Sequence, residues 1–262
     1  MSRELQFAVD AHIATITFNR PEVLNAYTEA MINECLAHLD RCRTDPEVRV
    51  VVITGTGRGF CTGGDVGGFA ERSGQTPAEV KARLADGPQR IPRAIFELDK
   101  PVIAAVNGIA TGGGCDIALA CDIRIAAESA RLAETYTRMG LLACMGGAYF
   151  LPRIVGIAKA LEMLWTSEWI EAAEAARIGL VSQVVPDTEL IVRTYELARR
   201  LAGAAPLSVQ MTKRVLRHGL SQDLATSLEY AASNLPVVRL SGDHKEAVAA
   251  YKEKRPPNFA GQ

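Results

Sequence analysis

KPVIAAVNGIATGGGCDIALACDIRIAA, residues 100–127, holds a complete strand–loop–helix–strand unit. Lys100-Pro101 breaks the chain, because proline lacks a donor and restricts the residue before it. Val102 to Val106 is continuous and apolar rather than alternating, the pattern of a strand buried on both faces. It runs directly into Asn107-Gly108-Ile109-Ala110-Thr111-Gly112-Gly113-Gly114. An apolar helix follows from Cys115 to Ala120, and Asp122 to Ala126 reads as a further strand. Buried strand, glycine loop, helix and strand in that order predict an α/β fold.

The same grammar appears one step upstream. Val48 to Thr54 (VRVVVIT) is a β-branched run of the buried-strand type, and it enters GTGRGFCTGGD, residues 55–65. Open α/β sheets place ligands at the carboxyl ends of their strands. Glycine lets a ligand approach the main chain closely. N–H groups at a helix start point outward with partial positive charge. Two such loops converging would donate two N–H bonds to one carbonyl oxygen. That arrangement stabilises an oxyanion or enolate, and one donor is worth about 3–4 kcal/mol. For either loop alone a tight turn is the simpler reading. Neither is a Walker-type phosphate loop, because no Gly-Lys-Ser/Thr follows. Residues 108–113 only loosely imitate a dinucleotide fingerprint, and the acidic partner is not evident.

Working outward, Leu5 to Val9 and Ile13 to Phe18 read as a hairpin about Asp10-Ala11. Asn19-Arg20-Pro21 ends it. Met31, Ile32, Cys35, Leu36 and Leu39 recur with helical periodicity between Thr28, a plausible N-cap, and Arg43. Residues 67–87 are polar and uneven, and mobility is expected there. A helix is expected over 88–98. Beyond Gly146 helices are expected near 146–152, 156–165, 171–177, 187–202, 206–218, 222–235 and 243–254, with one short strand from Val181 to Val185. The division is a core over 1–200 and a helical C-terminal region over 201–262.

Composition bounds the partners. Hydrophobic residues make up 48% and charged residues 23% of 262, and net charge is −1. No basic field argues for nucleic acid or an anionic membrane. The start, MSRELQFAVD, lacks the pattern of a secretory or transit leader, and no apolar run reaches membrane-spanning length. Cys35, Cys42, Cys61, Cys115, Cys121 and Cys144 show no CxxC pair or zinc spacing and read as reduced core thiols. A cytoplasmic location is expected, with no metal.

Five segments together resemble the crotonase (enoyl-CoA hydratase/isomerase) superfamily over almost the whole chain. They are Asn19-Arg20-Pro21 with Leu24-Asn25-Ala26, then residues 55–65, then 100–127, then MGGAYFLPRIVG (145–156) and AARIGLVSQVV (175–185). The resemblance implies a spiral of repeated ββα turns with a helical C-terminal trimerisation region, as a homotrimer or dimer of trimers. It implies an acyl-CoA thioester as ligand, with coenzyme A present only as part of the substrate and no bound cofactor. Mapped by motif, the oxyanion hole falls on Gly64 and Gly113. Cys61 and Thr62 would line the CoA path through their main chains. Asp65 would order its loop by bonding local N–H groups. Relatives often carry a lysine near Val23 or Gly67, and this sequence has none there. Lys252, Lys254 and Arg255 would reach CoA phosphates from a neighbouring subunit, or form an ordinary solvated tail. Pocket walls are expected from 67–98 and the C-terminal helices.

The catalytic pattern departs from the family. The first hydratase carboxylate corresponds to Asp116, and the second, twenty residues later, to Tyr136. The position where some isomerases carry an aspartate holds Cys144, which reads as a packed thiol with no histidine near it in sequence. Glu134 is a back-up acid that reads first as a surface ion-pairing residue. In a strand it would share a face with Tyr136, and in a helix it would diverge. Adding water across a conjugated thioester needs a base and an acid, whereas moving a double bond needs one proton carrier. Asp116 is the expected proton carrier, with Tyr136 as donor or water-positioning group. Its bland alternative is an acid placed to favour the helix dipole. The expected activity is therefore enoyl-CoA hydratase or isomerase. The alternatives are a catalytically silent acyl-CoA-binding protein, or a thioester hydrolase or decarboxylase on the same fold.

Overall fold

A computed structural model describes residues 4–65, 67 and 74–262. β1 (Leu5–Asp10) and β2 (Ile13–Phe18) form the expected antiparallel hairpin, with Ala11 and His12 in positive-φ conformations at its tip. Thr28 caps α1 (Glu29–Thr44), its hydroxyl accepting from the Met31 N–H. From there the chain repeats a unit. β3 (Val50–Gly55) is followed by β4 (Gly59–Cys61), β5 (Val102–Val106) by β6 (Ile109–Thr111), and β7 (Ile123–Ala127) by β8 (Arg131–Ala133). The first strand of each pair joins one sheet and the second joins another.

The larger sheet has the order β1-β2-β3-β5-β7-β10, closed by β10 (Gln183–Val185). Beyond the hairpin its neighbours are parallel. β3 is buried over Val50 to Thr54 and β5 throughout, which is why both read as unbroken apolar runs. The smaller sheet has the order β4-β6-β8-β9, with β9 (Ile170–Glu171) antiparallel to β8. This is the stepped ββα spiral that the motifs imply.

The four strands of the smaller sheet are a correction: the sequence reading treated 55–65 and 107–114, which hold β4 and β6, as loops, and it read no strand at β8 or β9. Each is two or three residues long, too short to show alternation. A second correction concerns 67–87. Residues 66 and 68–73 lie outside the described set, but α2 (Pro77–Asp86) is a regular helix. Thr76 and Glu79 form a reciprocal capping box at its start, with Pro77 at the first helical position. α3 (Arg90–Glu97) follows.

α4 (Gly113–Ala120) is the central helix, and every one of its residues is buried. At its far end Arg124, itself buried, donates from Nη1 to Cys121 O (2.7 Å) and from Nε to Leu180 O (2.7 Å). α5 (Gly147–Val155), α6 (Ile157–Thr166) and α7 (Ala172–Arg177) lead to β10. α8 (Leu190–Ala202) lies across β2, β3, β5 and β7. α9 (Pro206–Gly219), α10 (Leu224–Arg239) and α11 (Gly242–Glu253) complete the chain. α9 is tied to the core through Asp122, which accepts from Lys213 Nζ (2.6 Å), Arg217 Nη2 (2.7 Å) and the Val102 N–H (2.7 Å). Among the described residues, no helix is long and apolar enough to cross a membrane, and no cluster of ligating side chains could hold a metal.

Candidate active site

The two glycine loops touch. A methyl placed on Gly63 would stand 3.2 Å from the Gly113 nitrogen. Tyr27 pairs with the first loop: its N–H donates to Gly63 O (2.8 Å), and its carbonyl accepts from the Asp65 N–H (3.1 Å). That parallel bridge leaves the N–H and C=O of Gly64 turned away from Tyr27. Gly113 is the first residue of α4, so its N–H has no acceptor within the helix. Neither N–H has a hydrogen-bond partner among the described residues.

Specific side chains hold this junction. Asn25 is fully buried at φ +61°. It accepts from the Arg20 N–H (2.8 Å) and donates to Gly59 O (2.7 Å) and Thr56 O (2.9 Å). Arg20 Nη1 reaches Ala26 O (2.7 Å) and Asp65 Oδ2 (3.1 Å). Asp65 also accepts from the Gly67 N–H at 3.1 Å, a bond within its own loop. Those bonds, with Arg20 beside it, hold its carboxyl below the usual range. The helix can approach because Gly114 has no side chain. A methyl there would stand 2.0 Å from Cys61 O. Thr62 O accepts from the Thr111 hydroxyl (3.2 Å), joining the two loops again.

One turn into α4, Asp116 is fully buried and does not cap the helix. Its Oδ2 accepts from the Tyr136 hydroxyl at 2.5 Å. Burial pushes the carboxyl up to about 7. The Tyr136 hydroxyl and the N–H groups of Met145 and Gly147 oppose that rise, but neither N–H completes a hydrogen bond to Oδ1. Burial, and then the negative charge of Asp116, raise the Tyr136 phenol far above its ordinary range, so it is a donor.

Glu134 corrects the expectation of a surface ion pair. It is fully buried, and neither carboxyl oxygen has a well-formed hydrogen bond among the described residues. It leaves the end of β8 toward Asp116. A methyl on Gly147 would stand 2.4 Å from Asp116 Oδ1 and 3.2 Å from Glu134 Oε1, so the two carboxyls flank one small space. Burial and the Asp116 charge raise the Glu134 carboxyl well above its usual value. Two adjacent buried carboxyls cannot both ionise at low cost, so the pair retains a proton near neutrality.

Cys144 is half-buried at the rim. Burial and Asp116 raise its thiol, and its carbonyl accepts from Gln89 Nε2 (2.6 Å). Cys61 is fully buried with its thiol pushed up to about 12. Gly64, Gly113, Asp116, Glu134, Tyr136, Cys61, Thr62, Asp65 and Cys144 thus form one constellation. Lys254 does not join it. It is exposed at the end of α11, and no hydrogen bond or ion pair links it to these residues among those described. Tyr27 and Met145 were missed by the sequence reading. The Tyr27 hydroxyl is directed at Met145 Sδ, directly beside Gly113. The available signal was position: Tyr27 stands between the Leu24-Asn25-Ala26 motif and the Thr28 cap.

The profile of the family described as enoyl-CoA hydratase/isomerase matches residues 8–262. The chain is 40% identical over 256 residues to an (E)-benzylidenesuccinyl-CoA hydratase of Thauera aromatica, covering 97% of each. It is 35% identical over 247 residues to a short-chain-enoyl-CoA hydratase of Clostridium acetobutylicum, covering 94% of this chain and 93% of that one. The crystal structure of an enoyl-CoA hydratase from Bacillus anthracis superposes with a TM-score of 0.93 at 34% identity, over 99% of this chain and 100% of that one. The chain belongs to the enoyl-CoA hydratase/isomerase family, and it is an acyl-CoA-processing enzyme of that hydratase or isomerase kind.

Proposed function

We propose that this enzyme adds water across the double bond of a conjugated enoyl-CoA thioester. The observation that carries the reading is the buried Asp116–Glu134 pair beside the Gly64 and Gly113 N–H groups. The motif position of the second acid holds Tyr136, yet Glu134 restores a second carboxyl two residues earlier. In this reading the thioester oxygen accepts from Gly64 and Gly113, which stabilise the enolate as it forms. Ionised Asp116, steadied by Tyr136, takes a proton from water as the water oxygen bonds to Cβ. Protonated Glu134 gives its proton to Cα. Return of the proton from Asp116 to Glu134 restores the pair, so atoms and charge balance.

Cys61 and Thr62 would line the CoA path through their main chains, with Asp65 fixing that loop and Cys144 at the acyl rim. Lys254 would meet CoA phosphates only from a neighbouring subunit. The exposed leucines on or beside α9 and α10, including Leu220 and Leu224 at 73% and 75% exposure, support association between copies of the chain, in this reading the homotrimer or dimer of trimers that the resemblance implies. A cytoplasmic enzyme of fatty acid metabolism is the corresponding setting, with no cofactor beyond the CoA of the substrate.

Loss of the conjugated-enoyl absorbance of crotonyl-CoA on adding the purified protein tests the activity. Loss is expected in the wild type and is expected to fall by about 10²-fold or more in Glu134→Gln. Unchanged hydration in Glu134→Gln would remove the pair from the mechanism. Double-bond migration without hydration would make Asp116 with Tyr136 a one-carboxylate isomerase.

A further inference from the structure

The Tyr27 side chain has no part in the reaction described so far, although it lies in the middle of the site. It is 7% exposed, and its backbone is stitched to Gly63 and Asp65. A methyl on Gly113 would stand 2.5 Å from its hydroxyl oxygen and 2.8 Å from Met145 Sδ. One residue therefore holds the first glycine loop with its main chain and abuts the second with its side chain.

The hydroxyl's partner is the unusual feature. A buried phenol normally finds an oxygen acceptor. Here the proton is given to a thioether sulfur, a weak acceptor. Burial, with Cys61, Asp116 and Cys144 nearby, raises the phenol well above its ordinary value, so it stays protonated. A donor parked on a weak acceptor transfers readily to a better one. An oxygen gaining negative charge beside Gly113 is a far better acceptor.

We propose that the Tyr27 hydroxyl is a third hydrogen-bond donor to the thioester enolate, released from Met145 as charge develops beside Gly64 and Gly113. The inference rests on the oxyanion reading above and adds a side-chain donor to its two main-chain donors. Tyr27 would serve the transition state more than the bound substrate, because its bond to sulfur is given up only when negative charge has formed.

The test uses acetoacetyl-CoA, a β-ketoacyl-CoA whose enolate absorbs in the near ultraviolet, titrated into the wild type, Tyr27→Phe and Met145→Leu. Butyryl-CoA, which forms no enolate under these conditions, serves as the ground-state control. Tyr27→Phe is expected to lose bound enolate by about tenfold to a hundredfold, the range for a hydrogen bond to a charged group, with butyryl-CoA affinity unchanged. In crotonyl-CoA hydration its kcat should fall while KM holds. Met145→Leu removes the competing sulfur and should keep or raise the enolate fraction. Wild-type enolate levels in Tyr27→Phe would overturn the proposal. So would an equal loss in Met145→Leu, which would make the hydroxyl–sulfur bond the structural unit. If the wild type binds butyryl-CoA but forms no enolate from acetoacetyl-CoA, the oxyanion reading itself fails, and Tyr27 with it.

Discussion

At Asp116, the position of the charge decides both stability and rate. Its carboxyl titrates at 3.8 when solvated and at about 7 in the fold. Between those values the folded chain binds more protons than the unfolded one, so stability falls as pH rises. The contribution is full below 3.8 and is lost as pH passes through about 7. Asp116→Asn removes the charge, so near pH 8 the variant should melt a few degrees above the wild type, with the gap narrowing as pH falls through about 7 and closing only near 3.8. Turnover should collapse in the same variant while binding of a saturated acyl-CoA persists, as kinetics and calorimetry on one preparation would show. For the wild type, kcat/KM should climb with pH through about 7 as the base ionises. Tyr136→Phe removes the hydroxyl that favours the carboxylate, so that limb should move to higher pH. A pH profile unmoved in Tyr136→Phe would mean that the hydroxyl does not govern the titration. Asp116 and Tyr136 were legible as candidates from motif spacing. The burial of Glu134 was not, because a lone acid in a short polar stretch carries no periodic mark. It becomes buried only when α4, β8 and the start of α5 close around it.

Among the elements, legibility tracked length. The runs at 48–54 and 102–106, the α1 periodicity and the seven helices beyond Gly146 were all readable, since burial of one face or both imposes a pattern over enough residues. β4, β6, β8 and β9 were not, yet β4, β6 and β8 each end within a few residues of the site. They deliver Gly64, Gly113 and Glu134 respectively. α2 carried a readable signal in Thr76-Pro77 with Glu79, which the uneven polarity of its surroundings obscured. The contact of β4 with α4 is the tightest joint in this layer. Gly114→Ala would press a methyl onto the Cys61 carbonyl, a backbone atom unable to swing aside. A loss of about 1–3 kcal/mol is expected, with hydration falling as the two N–H donors separate. Thermal melting and crotonyl-CoA assays on the same variant would measure both, and unchanged melting would mean that the joint is softer than its geometry.

The whole molecule leaves one large surface unexplained by its own packing. Leu216, Leu220, Leu224, Leu228, Leu235 and Leu240 are each at least 59% exposed on or beside α9 and α10. Helical periodicity showed that these helices exist, but which face meets the core depends on how α9 docks through Lys213 and Arg217 onto Asp122. If subunits cover the leucines, light scattering should give a mass in multiples of three chains, and Leu220→Asp with Leu228→Asp should shift it toward one chain. A wild type that remains a single chain at high concentration would leave the helices without that role.

Arg124 has a consequence at this scale. It sits at the C-terminal end of α4, holding carbonyl oxygens, while Gly113 opens the other end. A helix of eight residues is about 12 Å long, and a positive charge buried in protein is felt across that distance with little screening. The helix then behaves as a polarised rod with its negative pole neutralised, so the potential at its positive pole is raised where the enolate would form. Arg124→Gln should thus weaken acetoacetyl-CoA enolate formation from the far end of the rod, touching no atom of the substrate, while butyryl-CoA binds as before.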